Sequence, residues 1–256
     1  MSLLEKNSKI NVTGIIIFEK KFKENSKSIS ILTRELGVIP VILRNSRAKK
    51  NMLGNLVQLF AYGNFILSHN NNGYILDDIE IKDLFFELRN DLKNLSLAQY
   101  FCQLSLVLRP EKYYSNEFLR VFLNSLFYLS SQKKDHRIIK MIFELRACSL
   151  SGYAPDLSSC DSCKNYDPDR SCFVLKKAKI FCQDCAKNIN YLDDNCAFLS
   201  KSELFCLRHI TYSPIEKLFS FSISESTINF LSDVIEKYVK FHVDLDFKSL
   251  EFYKKI

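Results

Sequence analysis

The sequence predicts an α+β chain of 256 residues in which a small β-barrel comes first and helices follow. Three observations predict it. Short β-branched runs broken by turn residues extend to about residue 81, the apolar period changes to 3.6 residues from Asp83, and two Cys-x2-Cys motifs sit within the second part. With 47% apolar and 25% charged residues the chain can bury a core, and its 6 Gly and 5 Pro exclude collagen-like or low-complexity architecture. No apolar run reaches the roughly 18 residues that cross a bilayer. The apolar stretch near the amino terminus is closed by Glu19, Lys20 and Lys21 and is too short for a secretory signal. A soluble, cytoplasmic protein with no membrane partner is expected.

In chain order, residues 15–18, 28–32, 38–43, 57–67 and 74–81 read as strands, punctuated by Gly37, Gly54, Gly63 and the NNNG turn ending at Gly73. Ser28, Ile29, Ser30 and Ile31 alternate as a strand with one wet face does. Pro40 has no N–H to give a ladder, which predicts an edge or bulged position there. Five short strands in so few residues fit a small barrel better than a sandwich. Leu84, Phe85, Leu88, Leu92, Leu95, Phe101, Leu104 and Leu108 then step at helical spacing until Pro110. Further helices are predicted over 116–131, over 135–151 with Gly152 and Pro155 as its stop, over 201–212, and from a Ser224 or Ser226 cap through Val239. The predicted domains are 1–80 and 81–256.

Lys and Arg number 36 against 29 Asp and Glu, a net charge of +7. Residues 1–76 hold 11 basic and 4 acidic side chains, which is already +7; the remaining 180 hold 25 of each and sum to zero. A positive field confined to one segment suits a polyanion-binding module, because each phosphate contact releases a condensed counterion. The competing reading is a solvated surface with a chance excess.

Nine cysteines in an intracellular chain point to metal or redox use rather than disulfides. Cys102, Cys148 and Cys206 lie in helical stretches and read as core; Cys172 and Cys196 stand alone. Cys160 and Cys163, then 18 residues, then Cys182 and Cys185 have the spacing of a zinc ribbon, with FVLKKAKIF between them suited to a hairpin. Two such turns complete a tetrahedral thiolate shell that leaves no open position, so the expected zinc is structural, in a module spanning 158–188. Cys172 is a possible substitute ligand. A redox Cys-x-x-Cys would need a βαβ context, and a zinc deaminase would need a glutamate two residues after a histidine; neither is present. Phosphate loops, nucleophile elbows and zincin motifs are also missing, so no catalysis is expected.

The order of features resembles the RecO family of bacterial recombination mediators. The likeness rests on T-R-E-L-G at 33–37, the basic RNSRAKKNMLG at 44–54, the stretch at 56–60, FELRACSLSGYAPDLSSCDSC at 143–163, and EKYVKFHVDLDFKS at 236–249, which looks like the family's closing helix. The resemblance implies an N-terminal OB-fold and a helical C-terminal domain with an inserted zinc module. It also implies a protein that binds single- and double-stranded DNA, anneals complementary strands and, with RecR and sometimes RecF, loads RecA onto strands coated by single-strand-binding protein. At Ser26, Asn45, Ala48, Lys49 and Met52 the chain departs from residues common in the family, which makes the loop less basic than usual. The alternative is a protein–protein adaptor that docks RecR and the tail of single-strand-binding protein.

An OB barrel that holds nucleic acid combines cations with aromatic faces. The expected phosphate contacts are Arg34, Arg44, Arg47, Lys49 and Lys50, the last four crowding one inter-strand loop, with Lys20, Lys21 and Lys23 as a second tier. Phe60 and Tyr62, taken to share one strand face, join Phe65, Phe18 and Phe22 as stacking candidates, against a competing role in the barrel core. Arg146 is expected in a buried ion pair rather than facing DNA.

Overall fold

The computed structural model describes residues 9–22, 26–44, 56–71, 73–187 and 196–256, and divides into two units, 1–131 with 247–256, and 132–246. The strands of the first unit are β1 (Lys9–Phe22), β2 (Ser26–Thr33), β3 (Gly37–Arg44), β4 (Tyr62–Asn70) and β5 (Gly73–Asp83). The helices are α1 (Leu92–Leu108), α2 (Ser115–Ser131), α3 (His136–Leu150), α4 (Gln183–Ala186), α5 (Lys201–Tyr212), α6 (Glu225–Val243) and α7 (Lys248–Lys255).

The five strands close an OB-like barrel in the order β1-β2-β3-β5-β4. Strand β1 serves two neighbours, pairing with β4 over its first half and β2 over its second. The overlap falls at Gly14, whose register partner on β4 is Gly63. A Cβ on Gly14 would meet the Leu32 carbonyl oxygen at 2.6 Å, and one on Gly63 the Glu80 carbonyl oxygen at 2.1 Å, so this crossing of backbones requires glycine on both strands. Ile16, Ile29, Ile31, Val41, Phe65 and Leu67 point inward and fill the barrel. In the closed barrel β3 runs between β2 and β5; Pro40 stands opposite Ser30 of β2, while β3 meets β5 only at Val41 and Ile42, so Pro40 lies just outside that seam.

The fourth strand starts later than the periodicity suggests. Phe60 adopts φ 71°, is 1% exposed, and donates its amide to the Ile16 carbonyl at 2.9 Å. It belongs to a turn, shares no strand face with Tyr62, and is core; Phe65 is core as well. Beyond the barrel a short 3-10 turn leads to α1, capped by the Asp91 side chain, which accepts from the Asn94 amide. Arg109, in the left-handed region, ends that helix before Pro110. The stretch 236–249 is not one closing helix: Asp244 turns left-handed at φ 48° and α7 starts afresh, its Ser249 hydroxyl donating to Gln103 on α1 at 2.6 Å.

In the second unit α3 is buried on every side from Ile138 to Cys148. A helix so enclosed needs its polar atoms paired. Lys140 Nζ lies 3.0 Å from Glu144 Oε2 and 3.0 Å from Glu236 Oε2, tying α3 to α6. Arg146 is turned inward and donates to the main-chain carbonyl of Thr211, which removes it from any nucleic-acid surface. A three-stranded sheet, β7-β6-β8, is built from β6 (Arg170–Val174), β7 (Lys179–Cys182) and β8 (Cys196–Ser200). The predicted hairpin is β6–β7; the third strand was not legible. Among the described residues no helix is long and apolar enough to cross a membrane.

Candidate metal centre and nucleic-acid interface

The four predicted cysteines converge. The Sγ atoms of Cys160, Cys163, Cys182 and Cys185 all lie within 4.8 Å of one another, and Cys163 Sγ is 3.7 Å from Cys182 Sγ. A tetrahedral shell with metal–sulfur bonds near 2.3 Å places its sulfurs about 3.8 Å apart, so the donor set fits a metal ion. Local structure explains the convergence. Cys160 donates its amide to the Asn165 carbonyl and accepts that of Lys164, which turns left-handed at φ 61° and closes the first knuckle. Cys182 ends β7 and opens α4, so Cys185 comes round one helical turn later. Asp161 fixes the knuckle to the hairpin through its amide, which donates to the Ile180 carbonyl, and through its carboxylate, 2.8 Å from Lys179 Nζ.

The electrostatics ask for a cation. Burial pushes the Cys160 thiol up, but backbone amides of Cys163, Cys182 and Ser162 and the Cys163 thiol outweigh it and bring it to about 6. Hydrogen bonds with the Cys182 and Cys163 sulfurs, with a smaller contribution from burial, push Cys185 up to about 12. Cys160 ionises readily while Cys163 and Cys185 resist; a bound dication removes that resistance. The other cysteines differ. Cys102 and Cys148 are raised by burial and Cys206 is pushed up to about 12 by it, as core thiols should be.

Cys172 and Cys196 do not stand alone. Strand β8, unrecognised in the sequence, lies beside β6 and joins them in a disulfide, with Cα atoms 6.2 Å apart. Cys172 packs in the same small core as Cys160 and Cys182, but its sulfur is engaged with Cys196 and not with the four-sulfur shell.

Of the expected phosphate contacts, Arg34 is exposed in the turn between β2 and β3, its amide donating to the Thr13 carbonyl at 2.8 Å. Arg44 closes β3, with its backbone opposite Ser26. Arg34 thus lies in the turn that precedes β3 and Arg44 at the strand's far end, and the strand itself spans roughly 23 Å at 3.3 Å per residue. Arg47, Lys49 and Lys50 lie outside the described residues, as do Lys23 and the Phe22 side chain; Lys20 and Lys21 are exposed on β1. Among the stacking candidates Phe18 is 40% exposed and Tyr62 half-buried. Sequence reasoning passed over Lys82 and Arg120, both exposed; Lys82 stands 5.7 Å over the Tyr62 ring.

Comparison with known proteins covers both units. A family model described as "Recombination protein O N terminal" matches residues 8–85, and one described as "Recombination protein O C terminal" matches residues 89–251. Similar full-length proteins include a DNA repair protein RecO of Acetivibrio thermocellus, 29% identical over 96% of this chain and 97% of its own length. One from Alkaliphilus metalliredigens is 26% identical over 96% and 99%, and one from Halalkalibacterium halodurans 27% identical over 93% and 92%.

Proposed function

The chain belongs to the RecO family of DNA repair proteins, which are non-enzymatic recombination mediators, and from that premise we propose that it binds single- and double-stranded DNA through residues 1–80, anneals complementary strands, and helps RecR load RecA in the RecF pathway. The observation that carries this reading is a coincidence. The segment matched by the N-terminal family model forms a closed barrel, and residues 1–76 account for the whole net charge of the chain. Two complementary strands repel each other as polyanions. A basic surface that holds one or both of them lowers that repulsion, and aromatic faces hold bases unstacked and ready to pair. The proposed contacts are Arg34, Arg44, Arg47, Lys49 and Lys50. The proposed partners are RecR, the tail of single-strand-binding protein, RecA and in some settings RecF, which places the protein with the nucleoid in the cytoplasm.

The four-cysteine shell is proposed to hold zinc, which an S4 tetrahedron favours and which supplies rigidity rather than chemistry when no coordination position is open. Cys160, Cys163, Cys182 and Cys185 would be its ligands, bracing the β6–β7 hairpin and α4.

The loop contacts are tested by salt dependence. If about four phosphates are neutralised on a single strand, log Kd against log salt should have a slope near 3 in magnitude. Arg47→Ala with Lys49→Ala and Lys50→Ala should lower it by about 2 while thermal unfolding stays nearly unchanged. Equal slopes for variant and parent would remove this loop from the interface.

A further inference from the structure

Arg34 does not stand by itself. It lines a cleft of about 380 Å³ within the first unit, together with Thr13, Tyr62 and Lys82 of the barrel and Asn116 and Arg120 of α2. Two local features build it. Ser115, the first residue of α2, is buried; its hydroxyl donates to the Thr33 carbonyl and accepts the Gly37 amide at 2.9 Å. Both ends of the β2–β3 turn are thereby fixed to the start of α2, so Arg34 and the first turns of that helix keep a set relation. The second feature is a bulge: Tyr62 pairs with Asp83 and Gly63 with Ile81, which leaves Lys82 as the extra residue and aims it over the Tyr62 ring. Asn116 and Arg120, four apart, present one face of α2, and Leu119 and Leu123 supply its apolar floor.

Among the described residues the lining holds three cations and no carboxylate. Glu35, next to Arg34, is engaged with the Thr13 amide at 3.1 Å. The opening of α2 adds the positive end of a 17-residue helix. We propose that this cleft is a nucleotide-binding cleft of the nucleic-acid interface, holding a backbone phosphate among Arg34, Lys82 and Arg120 and presenting Tyr62 to a base. The proposal rests on the chain being a nucleic-acid-binding protein and places a contact at the far end of β3 from Arg44, on α2 as well as on the barrel. A peptide of acidic residues alone would use the cations but has no aromatic face to lay on Tyr62, whereas every nucleotide brings a base along with its phosphate. The exposed Lys82–Tyr62 contact is weak enough for the ammonium to turn to a phosphate.

The experiment uses the full chain and a fluorescent oligothymidylate across a salt series. Lys82→Ala with Arg120→Ala should weaken binding and make the salt slope shallower by about 1.4, and Tyr62→Leu should weaken it roughly 5- to 150-fold. Should the double variant melt early, Lys82→Gln and Arg120→Gln take its place. An iodouracil oligonucleotide photo-crosslinked to the unmodified protein should mark Tyr62. Parent-like slope and affinity in the variants with no crosslink in the cleft would overturn the proposal while the parent still binds DNA. A glutamate-rich peptide that occupies the cleft while the oligonucleotide does not would overturn it too. A parent that ignores the oligonucleotide at low salt would instead defeat the underlying reading of the chain, and the cleft with it.

Discussion

Cys182→Ser is expected to reduce the bound metal from about one ion per chain to almost none and to melt the segment around Cys160 to Cys185, because a structural site's binding free energy is largely folding free energy. Three sulfurs remain, but the 3.7 Å Cys163–Cys182 edge of the shell is lost. Cys160 and Cys182 are buried with Cys172 and Phe181, so the loss exposes a small core as well as a ligand set. A chelator at neutral pH should do the same to the parent, and acid should too, since protons compete for thiolates and metal affinity falls as pH falls. Atomic emission counts the ion; hydrogen exchange locates the melting. The barrel, which has its own apolar interior, should keep its protection. A variant with parental metal content, or a metal-free chain with an unchanged exchange map, would remove the metal from this account.

The second large effect lies in α3. Lys140→Met should destabilise the chain by roughly 3–5 kcal/mol, because it leaves the Glu144 carboxylate buried without its cation. The Glu144 side chain is fully buried and that of Glu236 about three-quarters buried, while Lys140 itself is 1% exposed. Lys140→Met combined with Glu144→Gln should recover part of the loss, since the amide carries no charge. Urea unfolding reads both. Burial pushes the Lys140 ammonium down, but Glu144 and Glu236 outweigh it and hold it above the usual 10.5. A folded-state pKa raised in this way contributes stability that is fully present below 10.5 and is lost as pH rises through the raised value. The pH dependence should therefore be flat at neutrality and fall only in strong alkali. A Lys140→Met protein as stable as its parent would show that the pair is no more than neutral.

The second unit's four-cysteine cluster was legible because its spacing is a local property: two Cys-x-x-Cys turns carry their geometry with them. The barrel was legible from its turns and β-branched runs. What escaped depends on tertiary context. Strand β8 is five residues long and gains its meaning only from pairing with β6, so the Cys172–Cys196 link had no signal. Phe60 reads as strand by composition, and its left-handed turn is set by the amide it gives to Ile16. Lys82 becomes part of a cleft only because a bulge turns it, and Arg120 only because Ser115 pins α2 to the barrel turn. Sequence could place Arg34 and Arg44 in the same electropositive segment, but not Arg34 in the turn before β3 and Arg44 at its far end.

The central claim is that the barrel gives nucleic-acid backbones a cationic surface on which complementary strands meet. Its most direct test is the annealing rate of naked complementary oligonucleotides with the intact chain, without any partner protein, measured across a salt series. The account predicts faster pairing than in protein-free solution at low ionic strength, with the acceleration fading as salt rises. Annealing no faster than in protein-free solution at low salt would contradict it.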